Sequence, residues 1–259
     1  MINFDRVADI YDSTRSVPAD VLERVADRIV ATTQADLTTE FLEPGIGTGR
    51  IAIPLIRRGY RYTGVDVSQQ MMDRLRAKAE NAPNLKLVEG DVTELPLPDA
   101  SIDVVITVHL LHLVPEWQKA LEEIQRVLKP AGFVVQGRES GVPGDPVEEI
   151  LHQWRRLVVE NGAALRPQFA SETGTLGCLN ERGFRTTQYR VADWIDQFPP
   201  IDLIDALHQR TFSQTWDVPN DVLDVVHEKL VAWATDQFGD VNRTVESREE
   251  FMLTVSWRG

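Results

Sequence analysis

The sequence is poor in cysteine and in long apolar runs. Cys178 is the one cysteine among 259 residues, so an internal disulfide is excluded, which is typical of a reducing cytosol. Uninterrupted apolar runs fall well short of the roughly 18 residues that a membrane-spanning helix needs, and no basic-then-apolar segment at the start resembles a signal peptide. We therefore expect a cytoplasmic protein that does not enter a membrane.

Positive charge is also scarce. The chain has 27 Lys and Arg against 40 Asp and Glu, a formal net charge of −13. Nucleic-acid binders usually carry a basic stripe, because phosphate contacts supply much of their affinity. Here the basic pairs Arg57-Arg58 and Arg155-Arg156 are isolated and are interpreted as solvated helix faces. DNA, RNA and anionic membranes are therefore disfavoured as partners, and a small molecule is favoured.

The segment Glu43–Gly49 is the most informative part of the sequence, because it places an acid before three alternating glycines. It follows the apolar pair Phe41-Leu42 and precedes a predicted helix, so the glycines lie at a strand-to-helix turn, where they allow close approach to a ligand. The spacing differs from the dinucleotide fingerprint, and no Gly-Lys-Ser/Thr ending marks a P-loop. Glu43 would repel a pyrophosphate and suits a cation. The pattern indicates the nucleotide loop of a methyltransferase that uses S-adenosylmethionine.

Two further acids follow predicted strands. Asp66 ends the strand after Tyr60, and Asp91 follows the strand Leu85–Glu89. A carboxylate at the end of the second strand can accept hydrogen bonds from ribose hydroxyls, and one after the third can accept from the adenine amino group. Either acid alone could equally be solvated or cap a helix. Their occurrence at successive strand ends favours a nucleotide site.

The first half of the chain alternates strands and helices, which predicts an α/β fold with a parallel sheet covered on both faces. Right-handed crossovers bring the carboxyl ends of the strands to one edge, where Glu43, Asp66, Asp91 and His109 would meet. The predicted strands are Glu40–Glu43, Tyr62–Asp66, Lys86–Glu89, Ile102–Val108, Gly132–Gly137, Phe184–Val191 and Glu250–Trp257. The predicted helices are Phe4–Tyr11, Pro18–Ala31, Gly49–Arg58, Gln69–Ala79, Glu116–Leu128, Val147–Asn161, Gly174–Glu181, Ile201–Arg210 and Val222–Gln237.

Together these motifs resemble class I S-adenosylmethionine-dependent methyltransferases, in the small-molecule branch that includes the ubiquinone and menaquinone methyltransferases. The resemblance covers about residues 1–140 and implies a single domain over 1–259. It implies a Rossmann-like seven-stranded sheet of order 3-2-1-4-5-7-6, mostly parallel, with one antiparallel strand near the edge and helices on both faces. The motifs that carry it are Glu43–Gly49, Gly64–Ser68 with Met71, Gly90–Val92, Leu95–Asp103 and Glu123–Gly132.

The resemblance also implies roles for residues around the cofactor. Gly45 and Gly47 would contact its methionine part beside Glu43, and Asp66 would hold the ribose. The other implied contacts are Val67 and Met71 at the adenine, Asp91 and the Val92 amide on the adenine ring, and Arg15, near Tyr11, on the cofactor carboxylate.

Two of these roles have structural alternatives, since Met71 could be a core residue of its helix and Tyr11 with Arg15 a surface pair. The resemblance further implies that the N-terminal helices within 1–33 close over the cofactor. The insertion 192–249 is interpreted as a helical lid over the acceptor pocket, or else as a solvent-facing decoration. Lid side chains that could line the acceptor site are His208, Arg210, Phe212 and Trp216.

Two histidines and one acid complete the predicted site. His109 follows the fourth strand at the carboxyl edge, so we predict that it contacts the cofactor and consider it as a catalytic base, because histidine titrates near neutrality. The matching family position often contacts cofactor without proton chemistry. His112 lies among leucines and is predicted to be a half-buried structural residue, and Glu139 could reach the pocket edge.

The predicted function is transfer of a methyl group from S-adenosylmethionine to a small or medium-sized organic acceptor by in-line displacement. No metal is expected, and the chain is expected to be a monomer or homodimer. One rival is an enzyme of the same fold with altered cofactor chemistry. Another is a non-catalytic sensor or partner subunit that binds S-adenosylmethionine or S-adenosylhomocysteine.

Overall fold

A computed structural model describes residues 3–14, 17–142 and 144–258. Within these residues seven strands form one sheet. They are β1 (Glu40–Pro44), β2 (Arg61–Asp66), β3 (Leu85–Glu89), β4 (Ile102–Val108), β5 (Leu128–Gly141), β6 (Phe184–Phe198) and β7 (Val245–Arg258). Their order is β3-β2-β1-β4-β5-β7-β6, and β1 to β5 pair in parallel. The predicted α/β class, strand order and single antiparallel strand are confirmed.

Helices lie on both faces of the sheet. The helices of the described residues are α1 (Tyr11–Thr14), α2 (Ala19–Thr33), α3 (Ala52–Arg57), α4 (Gln69–Lys78), α5 (Trp117–Val127), α6 (Pro146–Glu160), α7 (Glu172–Glu181), α8 (Pro200–His208) and α9 (Asn220–Phe238). Short 3-10 turns occur at Asp5–Val7, Leu111–Leu113 and Ser213–Thr215. In the described ranges every helix is too short or too polar to cross a membrane.

The strand register brings the predicted acids to one edge. Glu43 lies opposite Gly64 in the β1–β2 pair, and Asp66 lies opposite Glu89 in the β2–β3 pair. The strands hold this register because their apolar side chains are buried against helices, which a one-residue slip would undo. The core on one face contains strand residues Leu42, Val65, Val105 and Val134 with α5 residues Leu121 and Ile124.

The chain divides into two compact units. The first, here the sheet unit, comprises Met1–Arg138, Gln168–Ala192 and Phe251–Gly259. The second, here the helical unit, comprises Glu139–Pro167 and Asp193–Glu250. Its core is formed by α6, α8 and α9, which bury an apolar cluster of Ile150, Trp154, Leu157, Ile204, Leu207, Leu223, Val226 and Leu230. The predicted insertion 192–249 belongs almost wholly to the helical unit, and its role as a lid stays a prediction.

Several predicted boundaries are wrong for identifiable physical reasons. The expected helix Phe4–Tyr11 is a 3-10 turn followed by α1 from Tyr11, because Asp5 bonds to Ser68, a distant part of the chain, and a short helix has little stability of its own. The helix expected from Gly49 begins at Ala52, since Gly49 has a φ of +75°. Strands β5, β6 and β7 are longer than predicted, because their polar ends are held by pairing that periodicity does not reveal.

Candidate functional site

The glycine loop, residues Gly45–Gly49, joins β1 to α3. Its three glycines have φ values of +68°, +55° and +75°, a region that other residues rarely adopt. A Cβ on Gly45 would lie 2.6 Å from Leu110 Cδ1, and one on Gly49 would lie 2.2 Å from Leu75 Cδ1. At Gly47 the nearest atom, Met71 Cε, is 3.4 Å away. The outer glycines are therefore packed against the core, and Gly47 has more room around it.

Asp66 connects the end of β2 to the glycine loop. Its Oδ2 accepts a hydrogen bond from the Gly47 amide at 2.8 Å, and its Oδ1 accepts from the Ser68 amide at 2.9 Å. The residue is 9% exposed, and this burial raises its pKa against the opposing effect of the amides. A carboxylate offers about four acceptor positions, so with the amides of Gly47, Val67 and Ser68 bonded to it one position is left for a ligand hydroxyl. This arrangement supports the ribose role, which stays a prediction.

Asp91, just after β3, is held in place by hydrogen bonds from Thr93. The amide and the hydroxyl of Thr93 both donate to Asp91 Oδ1 at 2.8 Å. Burial raises the pKa of Asp91, but the hydrogen bonds to its carboxylate lower it by more, so the pKa lies below its usual value. Asp91 is therefore an ionised acceptor at neutral pH. The neighbouring Val92 is fully buried, whereas Val67, after β2, is partly exposed.

Met71 lies beside the glycine loop near the start of α4. It is 3% exposed, and its amide donates to Ser68 Oγ at 3.1 Å, which caps the helix. Its methyl group is the atom nearest to a Cβ built on Gly47. Met71 is therefore a buried helix residue that borders the glycine loop, and its contact with the adenine stays a prediction.

Glu43 forms a buried hydrogen bond that sequence reasoning missed. The Tyr62 hydroxyl donates to Glu43 Oε2 at 2.7 Å, and the two residues are 1% and 3% exposed. Burial raises the pKa of Glu43 to about 8, against the lowering effects of Tyr62 and Arg50. The sequence signal that could have indicated this bond is strand alternation, which puts Phe41 and Glu43 on the same face of β1. Because Phe41 pairs with Tyr62 and Glu43 with Gly64, Tyr62 lies on that face too.

The N-terminal segment contacts both loops of the site. Asp5 Oδ1 accepts from the Ser68 hydroxyl at 2.5 Å, and Asp12 Oδ1 accepts from the Thr48 hydroxyl at 2.5 Å. Asp12 also pairs with Lys78 at 2.8 Å. Tyr11 is half-buried, and Arg15 lies outside the described residues. Closure of this segment over a cofactor stays a prediction.

His109 follows β4 and is exposed, with a φ of +48°. Such a backbone is strained in a non-glycine residue and is found often at functional sites. The rings of His109 and His112 are nearly perpendicular, with centroids 6.2 Å apart. Burial, with a smaller contribution from His109, lowers the pKa of His112 to about 4. His112 is therefore neutral and half-buried, while the catalytic role of His109 stays a prediction.

The side chains proposed to line an acceptor site have partners inside the helical unit. His208 Nε2 lies 2.8 Å from Asp224 Oδ1, and the Trp216 indole donates to the Arg210 carbonyl at 2.8 Å. Phe212 packs against the apolar cluster of that unit. Glu139 also belongs to the helical unit. For the part of the chain that is described, no cluster of three His, Cys, Asp or Glu residues could hold a metal ion.

Comparison with known proteins identifies the segment that contains the loop and both acids. Residues 42–136 match the family described as a methyltransferase domain. These residues are therefore similar to methyltransferase domains. The chain is also 34% identical over 138 residues to a demethylmenaquinone methyltransferase of Tropheryma whipplei, which covers 51% of this chain and 55% of that protein. The predicted resemblance is confirmed.

Solved structures similar to this chain support the fold. The YcgJ protein of Bacillus subtilis gives a TM-score of 0.61 at 18% identity, covering 90% of this chain and 97% of that one. The cyclase SpnF gives 0.54 at 18% identity, covering 91% and 81%. The chain spans between 27% and 55% of the length of the curated relatives it matches. The similarity therefore does not extend to the whole of those proteins.

Proposed function

We propose that this chain is a methyltransferase that transfers a methyl group from S-adenosylmethionine to a small or medium-sized organic acceptor. The observation that carries the proposal is the hydrogen bond from the Gly47 amide to Asp66, inside the segment that matches the methyltransferase domain. This bond joins the glycine loop to the acid expected to hold a ribose. The bond supports the proposal because it fixes the loop and the acid relative to one another before any ligand binds.

The residues present fit this cofactor chemically. S-adenosylmethionine offers hydroxyl and amino donors and carries positive charge, and the edge offers the acceptors Asp66 and Asp91 with Glu43 below the loop. Asp66 would accept from the ribose hydroxyls and Asp91 from the adenine amino group. Backbone groups of Gly45 and Gly47 would hold the methionine part. When bound, the cofactor supplies an electrophilic methyl group on a sulfonium.

The residues of the chain would then act mainly by orientation. A bound and aligned pair of reactants needs little further help in an in-line displacement, so packed glycines and fixed carboxylates are an adequate catalytic framework. His109 would remove a proton only if the acceptor must lose one, as a hydroxyl or ammonium group must. The net charge of −13 favours a small acceptor over nucleic acid, and we place the protein in the cytoplasm as a monomer or homodimer.

Turnover in the presence of candidate acceptors tests this proposal. The protein is incubated with S-adenosylmethionine and a panel of phenols, amines, carboxylic acids and quinols, and S-adenosylhomocysteine is measured by mass spectrometry. We expect acceptor-dependent product, and less of it with Asp66→Ala at low cofactor concentration. His109→Ala should reduce turnover only for acceptors that lose a proton. Tight cofactor binding with no turnover across the panel would contradict the enzyme and indicate a sensor.

A further inference from the structure

Glu43 and Tyr62 form a buried polar pair within the sheet unit. Their hydrogen bond of 2.7 Å joins β1 to β2 near the end of β1, where the glycine loop begins. The Phe41 ring stacks on Tyr62 with centroids 5.8 Å apart and planes 8° apart, which fixes the tyrosine ring. A buried carboxyl in such a setting is costly unless it has a partner, and Tyr62 is that partner.

Few other charged groups act on Glu43. Arg50, just after the glycine loop, and Asp66, at the end of β2, influence it with opposite signs. Burial dominates and raises the pKa of Glu43 to about 8, while the Tyr62 hydrogen bond lowers it. Near neutral pH the carboxyl is therefore mostly protonated. A positive charge introduced near the loop would favour its ionised form.

The cofactor and its product differ by such a charge. S-adenosylmethionine carries a positively charged sulfur, and S-adenosylhomocysteine carries a neutral one. We propose that Tyr62 is a positioning residue that holds Glu43 beneath the glycine loop, so that the carboxyl favours the cationic cofactor over the product. This inference rests on the proposed function, and it assigns to a residue outside the glycine motif a part in product discrimination.

The direction of the pH dependence follows from linkage. The ionised form of Glu43 attracts the sulfonium and the protonated form does not, so binding of S-adenosylmethionine should release a proton. The ratio of the two dissociation constants, product over cofactor, should rise by roughly threefold to tenfold as pH increases through the titration of Glu43. Tyr62→Phe removes a bond that lowers the pKa of Glu43, and this rise should then occur at higher pH.

Calorimetric titration of both ligands at several pH values tests the inference. The full-length protein is compared with Tyr62→Phe, Glu43→Gln and the control Tyr60→Phe. Tyr60 is a matched control because its ring also contacts Phe41, with centroids 5.4 Å apart, whereas the hydroxyl bonded to Glu43 is that of Tyr62. The ratio is the readout, since a loosened loop weakens both ligands together. Repetition in buffers of different ionisation enthalpy counts the protons released.

We expect the ratio to rise with pH in the natural sequence and in Tyr60→Phe, to rise later in Tyr62→Phe, and to be flat in Glu43→Gln. A ratio independent of pH in the natural sequence would overturn the inference, as would equal weakening of both ligands by Tyr62→Phe with no change in the ratio. In those cases both ligands still bind and the proposed function stands. Failure of both ligands to bind the natural sequence would instead remove the proposed function.

Discussion

The sheet unit and the helical unit use polar side chains in opposite ways. In the sheet unit, Asp66 and Asp91 accept hydrogen bonds from loop residues at strand ends, where we propose that a ligand binds. In the helical unit, Arg210 and His208 bond to atoms of the same unit. Polar side chains thus fix loops at strand ends in one unit, and bond to a loop and to a second helix in the other. The two acids lie at strand ends beside loops, whereas Arg210 and His208 lie at or just after the end of α8.

The two units also differ in how they are packed. The glycine loop is fixed by close contacts of backbone with Leu75 and Leu110, so its shape depends on the absence of side chains. The core of the helical unit depends on large side chains, including Trp154 and Leu230, which are 1% and 0% exposed. Substitutions in the two units should therefore have different effects. Changes in the glycine loop should weaken ligand binding, and changes in the helical core should lower stability.

Gly49→Ala should have the largest effect. The new Cβ would lie 2.2 Å from Leu75 Cδ1 at a φ of +75°, and strain with overpacking should cost about 2–4 kcal/mol of unfolding free energy and abolish cofactor binding. Gly162→Ala in the helical unit is the control, because its φ is +84° but no atom lies within 4 Å of the new Cβ. Denaturant unfolding measures both. Equal losses would show that close packing of the loop is unimportant.

Arg210→Met should destabilise the helical unit without affecting the ligand. The guanidinium donates to the carbonyls of Thr215, Trp216 and Val218 at 2.5–2.9 Å, so its loss should lower the unfolding free energy by about 2–3 kcal/mol. Arg243→Ala is the control, since that side chain is 87% exposed. Thermal unfolding and cofactor titration are measured together. A fall in cofactor affinity for folded Arg210→Met protein would contradict the claim that the helical unit does not affect cofactor binding.

Asp66→Ala should lower cofactor affinity, the property that Arg210→Met should leave unchanged. Loss of the ribose acceptor should weaken cofactor binding by about 1–3 kcal/mol, the scale of hydrogen bonds to a charged group. Asp224→Ala, in the helical unit, should leave cofactor affinity unchanged. Calorimetry measures both variants, and unchanged affinity for Asp66→Ala would contradict the ribose assignment.

The His208–Asp224 pair should give the smallest effect. Their side chains are 38% and 69% exposed, so solvent screens the interaction and a double-mutant cycle should give a coupling below about 1 kcal/mol. Thermal unfolding of the two single variants and the double variant provides the measurement. A coupling of several kcal/mol would mean that this pair, rather than the apolar cluster, determines how α8 and α9 associate.

Sequence alone predicted the first half of the molecule well, because local signals coincide there. Glycines, strand-end acids and apolar strands all indicate one edge, and Ile102–Val108 was predicted to the residue. The Tyr62–Glu43 bond was missed because it depends on register between strands that are distant in sequence. The acceptor-site role of His208 and Trp216 stays a prediction, since sequence does not reveal whether the partner of a polar or aromatic side chain is internal or a ligand.

The most direct test of the account is calorimetric titration of the natural sequence with S-adenosylmethionine, S-adenosylhomocysteine and NAD. The glycine loop with Asp66 and Asp91 predicts roughly micromolar binding of the first two and no binding of NAD. Binding of NAD, or no binding of either S-adenosyl compound, would contradict the assignment of this edge as an S-adenosylmethionine site.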